Sequence, residues 1–272
     1  MFSKRTTTVL MMALAALTLS ACGRIITFTD SRRVVRGSGN VVEETRQVSG
    51  FHGVELISFG DIVVTLGDEE GLRIEAEDNL LKYVETEVRF GILEISTSSR
   101  SVRLKPTEPV TFYLTVKEID TVSITGSGDI QVPNLETGEF SISITGSGDV
   151  TMEALTVDEF QVEVAGSGDV YVENLIADNV DVNFAGSGSV EVGNGTAAHQ
   201  DINITGSGSY LAGDLESASA DVVITGSGNV TFWVTESMDV NILGSGEVVY
   251  YGEPSVSSTR AGSGRLTGRG EK

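Results

Sequence analysis

The sequence predicts an all-β fold, a right-handed parallel β-helix with about 20 residues in each turn. From Gly126 onward the triplet Gly-Ser-Gly occurs eight times, at intervals of 20 residues and, in the last two intervals, of 18 residues. Between the triplets apolar and polar residues alternate, which is the pattern of strands with one buried face. Repeats of this length are typical of solenoids. A β-sandwich or a β-roll built from the same units is the alternative.

Residues 1–21 have the pattern of a lipoprotein signal peptide. Lys4 and Arg5 precede an apolar stretch that is shorter than the ~20 residues a membrane-spanning helix needs. The stretch ends in Leu-Ser-Ala-Cys-Gly, which resembles the lipobox at which bacterial lipoproteins are cut and acylated. Cys22, the only cysteine, is therefore the expected attachment site for palmitate or another acyl chain, and membrane lipid is an expected partner.

The predicted location follows from the same segment. Gly23 lacks the aspartate associated with retention in the inner membrane, so the resemblance implies a lipid-anchored protein of the outer membrane of the bacterial cell envelope. The domain faces either the periplasm or the exterior. An ordinary secretory signal or a short membrane anchor is the alternative interpretation.

Residues 22–40 are interpreted as the lipidated cysteine and a tether, and residues 41–120 as an irregular N-terminal β region. Ser-Phe-Gly-Asp-Ile at 58–62 looks like a degenerate corner of the later repeats, which predicts longer, imperfect turns of the same solenoid. A separate small β domain is the alternative. One helical turn between Asp78 and Val84, capped by Asp78, is also expected.

Residues 121–268 are predicted to form the regular β-helix, followed by a tail at residues 269–272. Each turn is expected to contain two strands that meet at the Gly-Ser-Gly corner and a looser third side that carries a leucine. Glycine suits the corner because it tolerates positive φ and close approach of stacked turns. Ser258 and Arg260 occupy inner positions of the last turn, which predicts a solvent-exposed polar cap there.

These motifs resemble a known family. Gly-Ser-Gly-Asp-Val at 146–150 and Ala-Glu-Asp-Asn-Leu-Leu at 76–81 are similar to segments of the head GIN domain family of auto-transporter adhesin heads. The resemblance covers about residues 40–268. It implies a β-helical fold in a secreted or lipid-anchored bacterial protein. It also implies that the protein is an adhesin or a module for binding or scaffolding. It implies no reaction, because the family has no established one.

The charge pattern argues against several classes of function. The net charge is −21, and the interval between Lys117 and Arg260 contains 23 acidic residues and neither lysine nor arginine. Nucleic acid is not an expected partner, because lysine and arginine supply most of the affinity for phosphates. The expected partner is an unknown glycan or envelope protein, and no catalysis is expected. An envelope polysaccharide-acting enzyme is one alternative, since glycoside hydrolysis needs only two carboxylates. A periplasmic structural or sensing module is the other.

Two sets of outward side chains are candidate sites. The first is a column of four aspartates, one on each of four turns: Asp181, Asp201, Asp221 and Asp239. It predicts either calcium bound between turns or a solvated acidic face, and no other cofactor is expected. The second set lies at outward positions of neighbouring turns: Leu211, Trp233, Val249 and Tyr251. It predicts a surface for a glycan or a protein, or else packing under a loop or against a partner subunit.

Overall fold

A computed structural model of the chain describes residues 33–97 and 102–272. The expected signal peptide, Cys22 and most of the expected tether lie outside the described residues. Within these ranges, none of the helical segments has the length and apolar character of a membrane span. The same ranges contain one 3₁₀ turn, at Leu81–Tyr83, and are otherwise strands and connections.

Twenty strands are found in the described part of the chain. The irregular region contains β1 (Arg33–Arg36), β2 (Val41–Arg46), β3 (Gly53–Ile57), β4 (Asp61–Leu66), β5 (Gly71–Glu77), β6 (Val84–Arg89), β7 (Ile92–Thr97), β8 (Val102–Lys105) and β9 (Thr111–Val116). The repeats contain β10 (Thr121–Gly126), β11 (Ile130–Val132), β12 (Leu135–Gly146), β13 (Val150–Gly166), β14 (Val170–Gly186), β15 (Ser189–Gly206), β16 (Ser209–Gly226), β17 (Asn229–Gly244), β18 (Glu247–Tyr251), β19 (Ser255–Gly262) and β20 (Arg265–Gly268).

The repeats stack as the sequence predicts. From β12 to β16 each strand pairs in parallel with the next, and a residue lies beside the residue 20 positions later, as Val162 lies beside Val182. The stack forms a β-solenoid of about seven turns, which confirms the predicted β-helix. Like side chains line its interior, and the stacked rings of Phe140 and Phe160 are 6.4 Å apart. Each fully buried side chain of this kind contributes about 1.5–3 kcal/mol.

The third side of the middle turns, from β13 to β17, differs from the prediction, whereas the strand is interrupted between Val132 and Leu135 and between Tyr251 and Ser255. It is not looser than the other two, because β13 and β14 run without a break from one corner to the next. Leu155 lies beside Leu175 and is buried. Pairing on the third side satisfies backbone N–H and C=O groups that would otherwise need water. The repeat is therefore a paired strand with bends rather than two strands and a loop.

The Gly-Ser-Gly corners bring the backbones of successive turns into close contact. Gly166, the first glycine of its triplet, has φ +143°, and a Cβ atom there would lie 2.1 Å from the carbonyl oxygen of Gly146. The Ser167 amide donates a hydrogen bond of 2.8 Å to that same carbonyl. Only glycine combines the positive φ with the missing Cβ that this contact requires.

The degenerate corner at residues 58–62 lies where the sequence predicts it. The Ser127 amide of the first triplet donates to the Ser58 carbonyl at 3.1 Å. A Cβ atom at Gly128 would lie 1.9 Å from the Gly60 carbonyl oxygen. In parallel pairing, β3 lies beside β10 and β4 lies beside β11, so the apolar core continues from the irregular region into the repeats.

The remaining strands of the irregular region are only partly solenoid-like. In parallel, β7 pairs with β3 and β9 pairs with β4, which adds one more turn below the degenerate corner. However, β5 pairs with both β2 and β9 in the antiparallel sense, and β6 pairs with β7 in the same way. These antiparallel strands correct the prediction of imperfect solenoid turns throughout. They cover the N-terminal end of the stack, whose edge would otherwise be open to pairing with other chains.

The buried carboxylate of Glu77 fixes the segment before β2 to the N-terminal end of the stack. Glu77 is fully buried and accepts hydrogen bonds from the Gly39 amide at 2.6 Å and from the amide and hydroxyl of Thr107 at 2.9 and 2.5 Å. Burial by itself raises the pKa of Glu77, but these hydrogen bonds outweigh it and leave the pKa below its ordinary value. The carboxylate therefore links the segment before β2 to the segment before β9.

Asp78 acts in the same contact rather than as a helix cap. Its carboxylate accepts hydrogen bonds from the Ser38 hydroxyl at 2.6 Å and from the Asn40 side-chain amide at 3.1 Å. The 3₁₀ turn begins after Leu80 without a side-chain cap, which corrects the prediction that Asp78 caps it. Asn79 completes the contact by donating to the Arg36 carbonyl at 2.8 Å.

The opposite end carries the predicted polar turn. Ser258 lies beside Val240 and Arg260 lies beside Ile242, so polar side chains replace the inner apolar columns. Every residue of β19 is exposed. The stack therefore ends on a polar surface that does not favour pairing with a second solenoid.

We expect Gly166→Ala to lower the free energy of unfolding by about 1–3 kcal/mol, the usual cost of a residue held in a disfavoured backbone conformation. Gly138→Ala is the matched control, because a Cβ atom at Gly138 has its nearest neighbour, Asp158 Oδ2, at 3.8 Å. Urea denaturation of both variants measures the difference. Equal stability of Gly166→Ala and wild type would contradict the close contact between corners.

Candidate binding surface

The four aspartates of the predicted column lie beside one another on successive turns. Asp181 pairs in register with Asp201, Asp201 with Asp221, and Asp221 with Asp239. The first two are partly buried and the last two are exposed. Desolvation, followed by repulsion from Asp201 and Glu159, raises the pKa of Asp181 above its ordinary value.

Side-chain amides two residues further along the chain bind the first two of these carboxylates. Asn183 Nδ2 donates to Asp181 Oδ1 at 2.5 Å, and Asn203 Nδ2 donates to Asp201 Oδ1 at 2.9 Å. Within residues 33–97 and 102–272, no three histidine, cysteine, aspartate or glutamate side chains are grouped so that they could hold a metal ion. Calcium between the turns stays a prediction, with a test given below.

A second aspartate column, directly after the triplets, has a structural role. Asp129 Oδ1 accepts a hydrogen bond from the Asp149 amide at 3.0 Å, and Asp149 Oδ1 accepts one from the Asp169 amide at 2.9 Å. In later turns serine replaces aspartate, and the Ser209 amide donates to the Gly188 carbonyl instead. The aspartates of the Gly-Ser-Gly-Asp motif thus accept a hydrogen bond from a backbone amide of the next turn.

The predicted aromatic surface is divided into two neighbouring rows. In one row Leu211, Thr231 and Val249 lie side by side. In the other row Trp233 lies beside Tyr251, two residues further along the same strands. Leu211 is 39% exposed, whereas the two aromatic residues and Val249 are partly covered. We name the pair Trp233 and Tyr251 the aromatic pair.

The aromatic pair lies where the repeat shortens from 20 to 18 residues. Ala212 lies beside Phe232, but the next pairing joins Glu216 to Trp233, so the register of β16 and β17 shifts at this point. Gly213, Asp214 and Leu215 are thereby left without partners in β17. Bulges of this kind re-aim side chains and are common beside functional sites. The change of spacing was the signal in the sequence for this site, and sequence analysis alone did not use it.

Lys272 covers the aromatic pair. Its Nζ atom lies 4.9 Å from the centre of the Tyr251 ring and 5.8 Å from the centre of the Trp233 ring, within the range of cation–π attraction. The same atom donates hydrogen bonds to the Gly213 carbonyl and to Asp214 Oδ1. The pair is therefore covered by a cation from the chain's own last described residues, and not by a loop.

A buried chain of polar groups supports the backbone beneath Trp233. Inside the solenoid the Tyr210 hydroxyl donates to Gln200 Oε1 at 2.7 Å, and Gln200 Nε2 donates to Ser217 Oγ at 2.8 Å. Ser217 Oγ then donates to the Trp233 carbonyl at 2.9 Å. Burial raises the pKa of Tyr210, so its hydroxyl stays protonated and remains a donor. Satisfied networks of this kind rigidify their surroundings.

A histidine lies between a serine and an aspartate on the neighbouring turn, a juxtaposition that sequence analysis did not predict. His199 Nδ1 is 2.9 Å from Ser219 Oγ, and its Nε2 is 3.8 Å from Asp221 Oδ2. The second distance is too long for a hydrogen bond. Ser219 lies within β16, beside His199 of the preceding turn and Ser237 of the following turn.

Comparison with known proteins covers most of the chain. The model of a family described as "Putative auto-transporter adhesin, head GIN domain" matches residues 50–254. A solved structure from Parabacteroides distasonis ATCC 8503, described as a "putative lipid binding protein", is 28% identical with a TM-score of 0.79. The alignment covers 87% of this chain and 99% of that one. No curated protein matches the chain.

Two further solved structures, described as putative adhesins, support the fold. One from Parabacteroides distasonis ATCC 8503 is 24% identical, with a TM-score of 0.80, and the alignment covers 86% of this chain and 99% of that one. One from Parabacteroides merdae ATCC 43184 is 20% identical, with a TM-score of 0.80 and coverages of 87% and 99%.

We expect Asp181→Asn to raise the midpoint of thermal unfolding. The change removes repulsion from Asp201 while keeping an acceptor for Asn183, and like charges on paired strands cost about 0.2–1 kcal/mol. Because the pKa of Asp181 is raised in the fold, its ionised form destabilises the fold. The gain should therefore be present at neutral pH and vanish below the ordinary carboxylate pKa. Asp68→Asn, at an exposed position outside the column, is the control.

The same measurement tests calcium. If calcium bridges the aspartates, a chelator lowers the midpoint of the wild type, and Asp181→Asn becomes less stable than the wild type in the presence of calcium. An unchanged midpoint with chelator would remove the calcium hypothesis and leave the solvated acidic face.

Proposed function

Because this chain belongs to the family described as putative auto-transporter adhesin, head GIN domain, we propose that it is a non-catalytic binding module of the bacterial cell envelope. Its mechanism is surface complementarity: a stiff solenoid displays outward side chains in fixed rows along its sides. The structural relatives described as putative adhesins and as a putative lipid binding protein are consistent with this kind of role.

One observation carries the proposal: a partly covered aromatic pair lies on an otherwise acidic side surface. Tryptophan and tyrosine are enriched at the energetic centres of interfaces, where they supply a large rigid contact area. The parallel ladder and the buried network below Trp233 hold this area in place. The leucine and valine of the neighbouring row extend it, and Glu216, Glu253 and Glu271 lie beside it.

Lipid binding by the folded domain is a weaker candidate. The apolar cavity of the N-terminal region, lined by Leu56, Leu80 and Phe112 among others, has a volume of about 10 Å³. That is about the space of one water molecule, so an acyl chain would require the strands to separate. We propose instead that membrane lipid contacts the protein through an acyl chain on Cys22, as the lipobox-like segment predicts, and that this chain anchors the protein at the outer membrane.

We expect Cys22→Ser to abolish membrane anchoring of the full-length chain. Loss of the acyl chains removes about 0.8 kcal/mol for each buried methylene group, so the protein should move from the membrane to the soluble fraction. Fractionation of cells, combined with labelling by an alkynyl palmitate analogue, measures both effects. Labelled protein in the membrane fraction of Cys22→Ser would contradict this assignment.

We expect Trp233→Ala to reduce binding of the purified protein to envelope fractions and glycan arrays by at least about tenfold, the size of a modest interface hot spot. Tyr171→Ala is the control, since Tyr171 is a 39% exposed aromatic residue on other turns. Equal binding of Trp233→Ala and wild type would contradict a role for the aromatic pair. Glycan turnover that is lost in Ser219→Ala would instead favour an enzyme.

A further inference from the structure

We propose that the pocket at the aromatic pair is a recognition site for a primary ammonium group, supplied by a lysyl side chain of a partner protein. The chain's own Lys272 occupies this site and acts as a tethered competitor. This inference rests on the proposed function, since it names the chemical class of the partner that the binding module takes.

The contacts of Lys272 define what the site recognises. Two aromatic faces lie 4.9 and 5.8 Å from Nζ, which favours a cation, and tryptophan is the strongest partner in such contacts. The Gly213 carbonyl and the Asp214 carboxylate accept hydrogen bonds from the same atom. The pocket therefore provides two ring faces, one neutral acceptor and one charged acceptor around a single cationic position.

The hydrogen bonds decide which cation fits. A primary ammonium group has three N–H donors, and two of them are used here. A quaternary ammonium group has no N–H donor and would leave both acceptors unpaired. The site should therefore prefer a lysyl or other primary alkylammonium group over a trimethylated one.

The fold prepares this site before any cation enters it. The register shift where the repeat shortens leaves Gly213 and Asp214 without partners in β17, and the Gly213 carbonyl and the Asp214 carboxylate accept from Lys272. The buried network fixes the carbonyl of Trp233 from the inside. A prepared arrangement loses little entropy on binding, which favours affinity.

The occupant is held in a way that allows exchange. Residues 269–270 are tied to the stack by the Arg269 amide, which donates to the Tyr250 carbonyl at 2.9 Å, and by the Gly252 amide, which donates to the Gly270 carbonyl at 2.8 Å. Beside Lys272 lies an open pocket of about 280 Å³, lined by Trp233, Thr235, Gly252, Glu253 and Glu271. This volume is near the lower limit of ordinary ligand pockets. An incoming side chain can therefore reach the rings as Lys272 leaves.

The charge of the surroundings favours a cationic partner. Glu253 and Glu271 line the pocket beside Lys272, and the Asp214 carboxylate accepts a hydrogen bond from Lys272. A surface of one sign attracts the opposite sign and raises the rate of association, and the effect weakens as salt increases. The same field would repel an acidic partner.

Fluorescence of Trp233 reports directly on this pocket, because it is the only tryptophan of the chain. We would titrate the full-length protein with Nα-acetyl-lysine amide. Lys272→Gln should bind it about tenfold more tightly than wild type, the factor expected if Lys272 fills the site about nine-tenths of the time. Arg269→Gln is the control, because it removes one positive charge from the same segment and leaves the aromatic pair covered.

Three further arms identify the ligand. The Nε-trimethyl derivative should bind more weakly than the unmodified compound, and Nα-acetyl-norleucine amide should not bind. Vesicles containing phosphatidylethanolamine carry the same ammonium group on a lipid, and they should bind no better than vesicles without it. Tighter binding to the lipid would overturn the assignment to a protein partner, and tighter binding of the trimethyl derivative would overturn the ammonium class.

The following outcomes separate a failure of the ammonium site from a failure of the proposed function. No fluorescence response in Lys272→Gln, or an equal gain in Arg269→Gln, would overturn the proposal, and Lys272→Met serves as a second variant if the first is unstable. If adhesion depends on Trp233 but the fluorescence does not respond to Nα-acetyl-lysine amide, the proposed function holds and the ligand is not an ammonium group. If the fluorescence responds to Nα-acetyl-lysine amide but the protein shows no adhesion, the ammonium site is supported and the proposed function is refuted.

Discussion

The close contact between glycine corners constrains the rest of this structure. At each corner the carbonyl oxygen of one turn lies where a Cβ atom of the next turn would be, and it accepts the serine amide that follows. A side chain at this place would push the turns apart and break the ladder of parallel hydrogen bonds. Because the corners are fixed, every other position of a turn lies beside its equivalent in the next turn. The inner apolar columns and the outer acidic columns follow from this one contact.

A departure from the same rule produces the candidate binding surface. Where the repeat loses two residues, β16 and β17 shift register, and two of the unpaired residues, Gly213 and Asp214, offer a carbonyl and a carboxylate to Lys272. The interior also changes in this region, because Gln200 occupies the inner position that Val180 occupies one turn earlier. The side chain of Gln200 is hydrogen-bonded to Tyr210 and Ser217. The regular turns supply stiffness, and the irregular turn supplies the chemical groups.

The two ends of the stack are protected from pairing with other chains in different ways. A parallel β-helix presents unpaired backbone groups at both ends, which would template pairing with another chain. The last turn replaces its apolar columns with polar side chains. The first turns are covered by antiparallel strands, and the Glu77, Asp78 and Asn79 side chains hold the incoming segment against them. This contact lies between the solenoid and the residues that lead toward Cys22.

The sequence by itself determined the period, the corner glycines, the inward columns and the polar last turn, because each repeats a local rule at a fixed spacing. Even the degenerate corner at residues 58–62 could be predicted from its likeness to the repeats. Only the tertiary structure decided the antiparallel cover, the buried Glu77 contact and the meeting of Lys272 with Trp233. These join residues that are distant in the chain and follow no period: 59 positions separate Lys272 from the carbonyl that it binds at Gly213. No local pattern encodes such a contact, since it depends on where two distant segments of the chain come to lie.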